Sequence, residues 1–155
     1  MDPLVHAAVS GLVAGKKNWS PAKAWPFIFW GVIPDGYTIV IFILAGLNVR
    51  QTVADPYFFP VYNVTHSLLV ALTVGLIVWL VRKKFYWPLL MWPLHIVMDI
   101  FSHQGILTPW LWPISDYKIS GLFDYQTPLA MIITYAILIP IITFAWLNKK
   151  FRADK

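Results

Sequence analysis

Residues Trp25 to Asn48 read WPFIFWGVIPDGYTIVIFILAGLN, apolar along most of their length with one carboxylate, Asp35, set between Pro34 and Gly36 near the middle. A helix of about 20 apolar residues crosses the hydrocarbon core of a bilayer, so this segment predicts a membrane span. Pro34 and Gly36 predict a break or kink around the carboxylate. Irregular backbone at that depth is stable only when buried in protein or lining a wet cavity. An ionised side chain inside a span costs about 2.5–3.5 kcal/mol on insertion scales. Asp35 therefore needs a partner and marks a functional position.

The rest of the chain fits a lipid-solvated protein. Of its 155 residues 59% are hydrophobic, 17% aromatic and only 12% charged, and mean hydropathy is +0.65. A soluble domain of this size could not hide so much apolar surface from water. Three further stretches are long enough to cross, at Val61 to Val81, Phe85 to His103 and Thr127 to Leu147. An earlier one, Pro3 to Gly15, spans only about 20 Å as a helix, which predicts a re-entrant or docked segment. It lacks the basic start and long apolar middle of a signal peptide and is expected to be retained. The expected fold is all-α, a polytopic membrane helical bundle with four transmembrane helices plus that short N-terminal helix. Residues 1–155 form one integral membrane domain. Without cysteine, disulfide scaffolds and thiolate metal sites are excluded.

The basic residues set an orientation. Lys16, Lys17 and Lys23 precede the first long span, Arg82, Lys83 and Lys84 separate the second from the third, and Lys149, Lys150, Arg152 and Lys155 follow the fourth. Ten of the 12 cationic residues thus share one side, leaving Arg50 and Lys118 on the other. The positive-inside rule makes the ten cytoplasmic, with the C-terminus, and turns the loops Val49 to Pro60 and Gln104 to Gln126 outward. The expected location is the cell membrane, inner or plasma. Tyr57, Phe58, Phe59, Tyr62, Trp110, Trp112 and Tyr117 read as anchors at the outer interface, and Trp79, Phe85, Tyr86, Trp87 and Trp146 as anchors at the inner one. Pro109 and Pro113 predict that the longer outer loop is a stiff cap.

The seven acids are all aspartates, and there are four histidines, His6, His66, His95 and His103. His95, Asp99 and His103 follow at four-residue steps and share one helical face. A histidine and a carboxylate four residues apart can bind one cation. His66 enters from the same outer end of its span, and His6 can dock there from the short first helix. Topology alone therefore brings every histidine, with Asp35 and Asp99, to the outer half of the bundle. A single histidine in a membrane is more often an interhelical hydrogen-bonding residue. The joint arrangement favours a metal site, with His103 at its edge. Asp2 and Asp154 are expected to be solvated and Asp55 to make a turn before Pro56; Asp116 and Asp124 lie in the outer cap, where turn roles are favoured over help in holding metal or substrate.

Asp2-Pro3 with His6, Ile33-Pro34-Asp35, Thr65-His66-Ser67, and His95-x3-Asp99 followed by Gly105 and Leu111-Trp112-Pro113-Ile114-Ser115 resemble, in order and spacing, the YdjM-like membrane-bound metal-dependent hydrolases. That family is distantly similar to the all-helical zinc phospholipase C and single-strand nuclease superfamily. The resemblance implies a first metal on Asp35, His66, His95 and Asp99. It implies a second on Asp99 and His6, with His103 as a further ligand position. Two departures stand out. Tyr37 occupies the place of a second family aspartate, and no His-x3-Glu pair follows His103. One or two ions are therefore expected rather than three.

Imidazole and carboxylate donors suit zinc best, with manganese or iron as alternatives. A site below the outer surface suits a lipid-borne phosphoester, a phospholipid or polyisoprenyl phosphate, cleaved by metal-activated water that Asp35 or Asp99 orients. Membrane lipids are the expected partners. Nucleic acid is not, because the outer side carries so little positive charge. Two rivals remain: a transporter or proton-relay protein using His and Asp without tight metal, and a structural protein whose metal only pins helices.

Overall fold

The computed structural model describes residues 2–15, 21–46 and 48–153. Every regular element among the described residues is helical, and the long non-helical connection 103–127 carries one isolated antiparallel bridge between Thr108 and Ile119. In chain order the helices are α1 (Pro3–Ala14), α2 (Pro21–Val32), a 3-10 turn (Ile33–Asp35), α3 (Gly36–Leu44), α4 (Val49–Ala54), α5 (Phe58–Thr65), α6 (Leu68–Arg82), a second 3-10 turn (Trp87–Leu90), α7 (Met91–Ser102) and α8 (Pro128–Ala153). Lys16, Lys17, Asp154 and Lys155 lie outside the described residues, as do the side chains of Trp146, Lys149, Lys150 and Arg152.

Burial follows an inverted pattern. Eleven polar or charged residues among those described are buried, while Leu72, Leu76 and Ile77 on α6 and Ile132, Ile137 and Phe144 on α8 are exposed. A protein solvated by water would do the reverse. Two helical segments, Ala22–Leu44 and Pro128–Ala145, are long and apolar enough to cross a membrane. The first runs through α2 and α3, and the 3-10 turn at Pro34 interrupts it where the sequence predicts a break.

The other two expected crossings are altered. Val61 to Val81 is not one straight helix: α5 and α6 meet at His66 and Ser67 with a bend of 55°, and count as one span only if the bent pair is taken together. Neither proline nor glycine causes this bend. Ser67 Oγ caps α6 by accepting from Val70 N at 3.2 Å, and the Trp110 carbonyl accepts from Leu68 N at 2.9 Å and Leu69 N at 3.3 Å. The outer cap thus supplies acceptors that a continuous helix would find within itself. Phe85 to His103 yields the 12-residue α7, about 18 Å long at 1.5 Å per residue and too short to cross alone. Pro88 stands at the start of the 3-10 turn Trp87–Leu90 that leads into α7.

The outer loop Val49 to Pro60 is also more ordered than its sequence suggests. It forms α4, N-capped by Asn48 Oδ1 accepting from Gln51 N at 3.2 Å, and the start of α5. α1 is the expected short docked helix. Asp2 Oδ1 caps it by accepting from Leu4 N at 2.8 Å, and Pro3 occupies its first turn. α1 lies along α2 in so close an approach that a Cβ built on Gly31 would stand 1.9 Å from Ser10 Oγ. Asp2 is not simply solvated: its Oδ2 accepts from the Tyr135 hydroxyl at 2.7 Å, which ties α1 to α8.

Candidate metal centre

Asp35, His66, His95 and Asp99 are all buried, and one ligating atom from each lies within 4.8 Å of every other. Three local devices bring them together. Asp35 ends the 3-10 turn that breaks the first span, and His66 stands at the bend between α5 and α6. His95 and Asp99 are one turn apart on the same face of α7.

The spacing within this quartet is that of a coordination shell. His66 Nε2 is 3.3 Å from Asp35 Oδ1, 3.4 Å from Asp99 Oδ2 and 3.3 Å from His95 Nε2. His95 Nε2 is 3.1 Å from Asp99 Oδ2 and 3.7 Å from Asp35 Oδ1. Zinc bonds of about 2.0–2.1 Å in a regular tetrahedron place ligand atoms about 3.3 Å apart. Five of the six separations among the donors lie near that value, so the four residues could hold a tetrahedral cation.

The histidines are turned toward that point by their other nitrogens. His95 Nδ1 lies 2.8 Å from the Gly31 carbonyl oxygen, which accepts only if Nδ1 carries the proton; Nε2 then presents its lone pair inward. His66 Nδ1 lies 3.3 Å from the Tyr62 carbonyl oxygen and 3.0 Å from Thr65 Oγ1. Such outer hydrogen bonds are the usual companions of metal-ligating imidazole.

Asp99 extends the cluster. Its Oδ2 faces His66 and His95, whereas its Oδ1 lies 3.1 Å from His6 Nε2 and 3.5 Å from His103 Nε2. One carboxylate thus lies between two sets of imidazoles. His6 is stacked on His95 with ring centroids 3.6 Å apart. His103 is the C-cap residue of α7, its backbone N–H donating to the Asp99 carbonyl at 3.0 Å, and its side chain is buried. Its ring packs near Tyr125, 4.9 Å between centroids. Burial pushes the Tyr125 hydroxyl above the ordinary tyrosine pKa, so it stays protonated at neutral pH.

All six of the residues predicted from sequence therefore come together. The other acids among the described residues do not join them. Asp55 Oδ1 accepts from Tyr57 N at 2.9 Å and from the Tyr37 hydroxyl at 2.8 Å, so it does make the expected turn. Tyr37, two positions after Asp35, bonds to the outer loop through Asp55. Asp124 Oδ1 accepts from Gln126 N at 3.0 Å in a turn, and Asp116 is exposed.

Two expected interface anchors are instead part of this interior. Phe58 is 1% exposed and Tyr62 is 4% exposed. Their rings stack at 5.7 Å, and Tyr62 in turn stacks on His66 at 3.9 Å. The four-residue spacing from Phe58 through Tyr62 to His66 was the available signal. The roles of Gly31, whose carbonyl holds His95, and Ser67 had no comparable signal.

Comparison with protein-family models, curated proteins and solved structures finds no match to the chain.

Proposed function

We propose that the chain is a metal-dependent hydrolase of the cell membrane that cleaves a phosphoester of a lipid or polyisoprenyl phosphate. The carrying observation is the buried Asp35, His66, His95 and Asp99 quartet, spaced for a tetrahedral cation, with Asp99 shared toward His6 and His103. The resemblance to the YdjM-like hydrolases supports the reaction class. In this reading the chain crosses the bilayer four times, α5 with α6 forming one broken crossing and the helical run into α7 another. Its C-terminus is cytoplasmic and its site faces the outer leaflet.

The two halves of the centre suit different tasks. Four protein donors close a tetrahedral shell at the quartet, which favours a structural hold on the first ion, zinc on grounds of donor type. His6, Asp99 Oδ1 and His103 supply only three donors, which leaves room for water in the second shell. A divalent cation there would lower the pKa of a bound water toward about 7 and offset negative charge on phosphoryl oxygens. Asp99 keeps the two imidazole sets in fixed relation. Asp35 Oδ2, buried and without a hydrogen-bond partner, is available to accept a proton from the attacking water. Two divalent ions against two carboxylates leave a net positive charge, which matches a phosphate group. A headgroup entering at the outer surface would leave its tails in the bilayer.

The same unbroken run of buried His and Asp contacts is the observation that favours a proton relay as the second reading. Elemental analysis of detergent-purified protein separates the two, with wild type beside His66→Ala and Asp99→Ala. The hydrolase reading expects stoichiometric zinc or manganese in wild type, lost in both variants, and metal-dependent phosphate release from lipid phosphoesters. A chain purified without chelator that holds no metal and takes up none sinks it, and the relay then leads. Bound metal without turnover on any lipid phosphoester instead leaves the ion pinning the helices.

A further inference from the structure

Tyr62 touches an imidazole in each half of the cluster. Its ring lies flat on His66, with centroids 3.9 Å apart and planes 18° apart, while its hydroxyl oxygen lies 3.3 Å from His103 Nδ1. His66 addresses Asp99 Oδ2, and His103 addresses Asp99 Oδ1. The side chain is nearly inaccessible, and Phe58 stacks behind it to fix its plane.

We propose that Tyr62 is a positioning residue for the binuclear centre, its hydroxyl setting His103 for the second ion and its ring setting His66 for the first. This rests on the metal reading above. The chemistry is that of a paired tautomer. For His103 to offer the Nε2 lone pair toward Asp99 Oδ1 and a cation, its proton must sit on Nδ1. The Nδ1–H then donates to the Tyr62 hydroxyl oxygen. Losing the hydroxyl removes one hydrogen bond that favours the Nδ1–H form, and the imidazole gains reason to turn or to move its proton to Nε2, where it can no longer ligate. The stacking on His66 needs only the ring, so the two contributions can be separated by one substitution.

Tyr62→Phe keeps the ring and removes the hydroxyl. The test titrates zinc, and cobalt(II) as a spectroscopic stand-in, into the full chain in detergent. Wild type is compared with Tyr62→Phe, His103→Ala and the double variant. Expected are two ions in wild type and a first ion in Tyr62→Phe with unaltered affinity and cobalt absorption. The second ion should bind at least about tenfold more weakly, the lower end for loss of an outer-shell partner. The double variant should bind it no more weakly than His103→Ala alone.

Unaltered affinity for both ions in Tyr62→Phe overturns the assignment. So does an equal loss at both ions, which would mark a general packing role, or a loss in the double variant that adds to that of His103→Ala. A wild type that binds two ions with Tyr62→Phe unaltered removes Tyr62 alone; a wild type that binds one or none removes the second subsite or the whole metal reading with it. Nitrogen NMR of labelled histidine in the zinc-loaded wild type gives an answer even if the variant does not fold. His103 protonated at Nδ1 supports the role, and His103 protonated at Nε2 overturns it.

Discussion

His6 lies flat on His95, ring centroids 3.6 Å apart, yet the two imidazoles address opposite oxygens of Asp99: Oδ1 is 3.1 Å from His6 Nε2, and Oδ2 is 3.1 Å from His95 Nε2. Two stacked imidazoles both protonated would repel at that distance, and both neutral they are good ligands. One carboxylate thus serves both rings, and neutral imidazoles in this arrangement could serve as metal ligands.

Asp99 is expected to matter more to metal content than any single histidine. Asp99→Asn keeps the side-chain shape but removes the charge and turns one oxygen into a donor. It should abolish stoichiometric binding of both ions, whereas His6→Ala should spare the first. Elemental analysis of the two purified variants checks this. Chelation of wild type should mimic the first variant and lower its melting temperature. A ligand present at a hundredfold excess over its Kd contributes about 2.7 kcal/mol of stability.

Gly31 joins helix packing to ligand orientation. A Cβ there would stand 1.9 Å from Ser10 Oγ and 2.9 Å from Ser10 Cβ, and the same residue's carbonyl oxygen lies 2.8 Å from His95 Nδ1. Gly31→Ala is expected to push α1 off α2 and destabilise the fold by about 1–3 kcal/mol, the usual range for overpacking. Ser10→Gly should restore most of the loss, because it removes both clashing atoms, while Ser10→Ala should restore less. Thermal unfolding of the single and double variants in one detergent measures the rescue.

Much of this centre was legible in the sequence because its signals are local. Pro34 and Gly36 announce the break that carries Asp35, and the four-residue step from His95 to Asp99 fixes a shared face whatever the tertiary context. The bend at His66 was not legible. Its cause is the Trp110 carbonyl, far along the chain, taking the amides of Leu68 and Leu69. The burial of Phe58 and Tyr62 was misread for a related reason: an aromatic near an interface can face lipid or protein, and only the packing of α5 decides. Phe85 to His103 has the composition of a span, but its prolines divide it into a 3-10 turn and a short helix.

Ser67 should be a stability residue without being a ligand. Its Oγ accepts from Val70 N at 3.2 Å and donates to the Trp112 carbonyl at 2.6 Å, so one hydroxyl caps α6 and ties the outer cap to the bend. Ser67→Ala is expected to cost about 1–3 kcal/mol, a helix cap together with a buried hydrogen bond. Ser67→Thr retains the hydroxyl and should recover part of it. Metal stoichiometry is expected to hold in both variants at temperatures below the lowered transition.

The bond from Tyr135 to Asp2 should act on the metal centre from a distance. Tyr135 stands on α8 and donates at 2.7 Å to Asp2 Oδ2, while Asp2 Oδ1 caps α1. One helical turn further along α1 stands His6, which faces Asp99. Tyr135→Phe removes one partly buried hydrogen bond, worth about 0.5–1.5 kcal/mol, and leaves the cap in place. Asp2→Ala removes both. The expected order is faster hydrogen exchange in α1 for Tyr135→Phe and faster still for Asp2→Ala, with α7 amides unaltered in each. Affinity for the ion on the His6 side should fall in the same order, and that for the ion on the His66 side should not. An equal fall at both ions would mean that α8 steadies the whole bundle rather than the first helix.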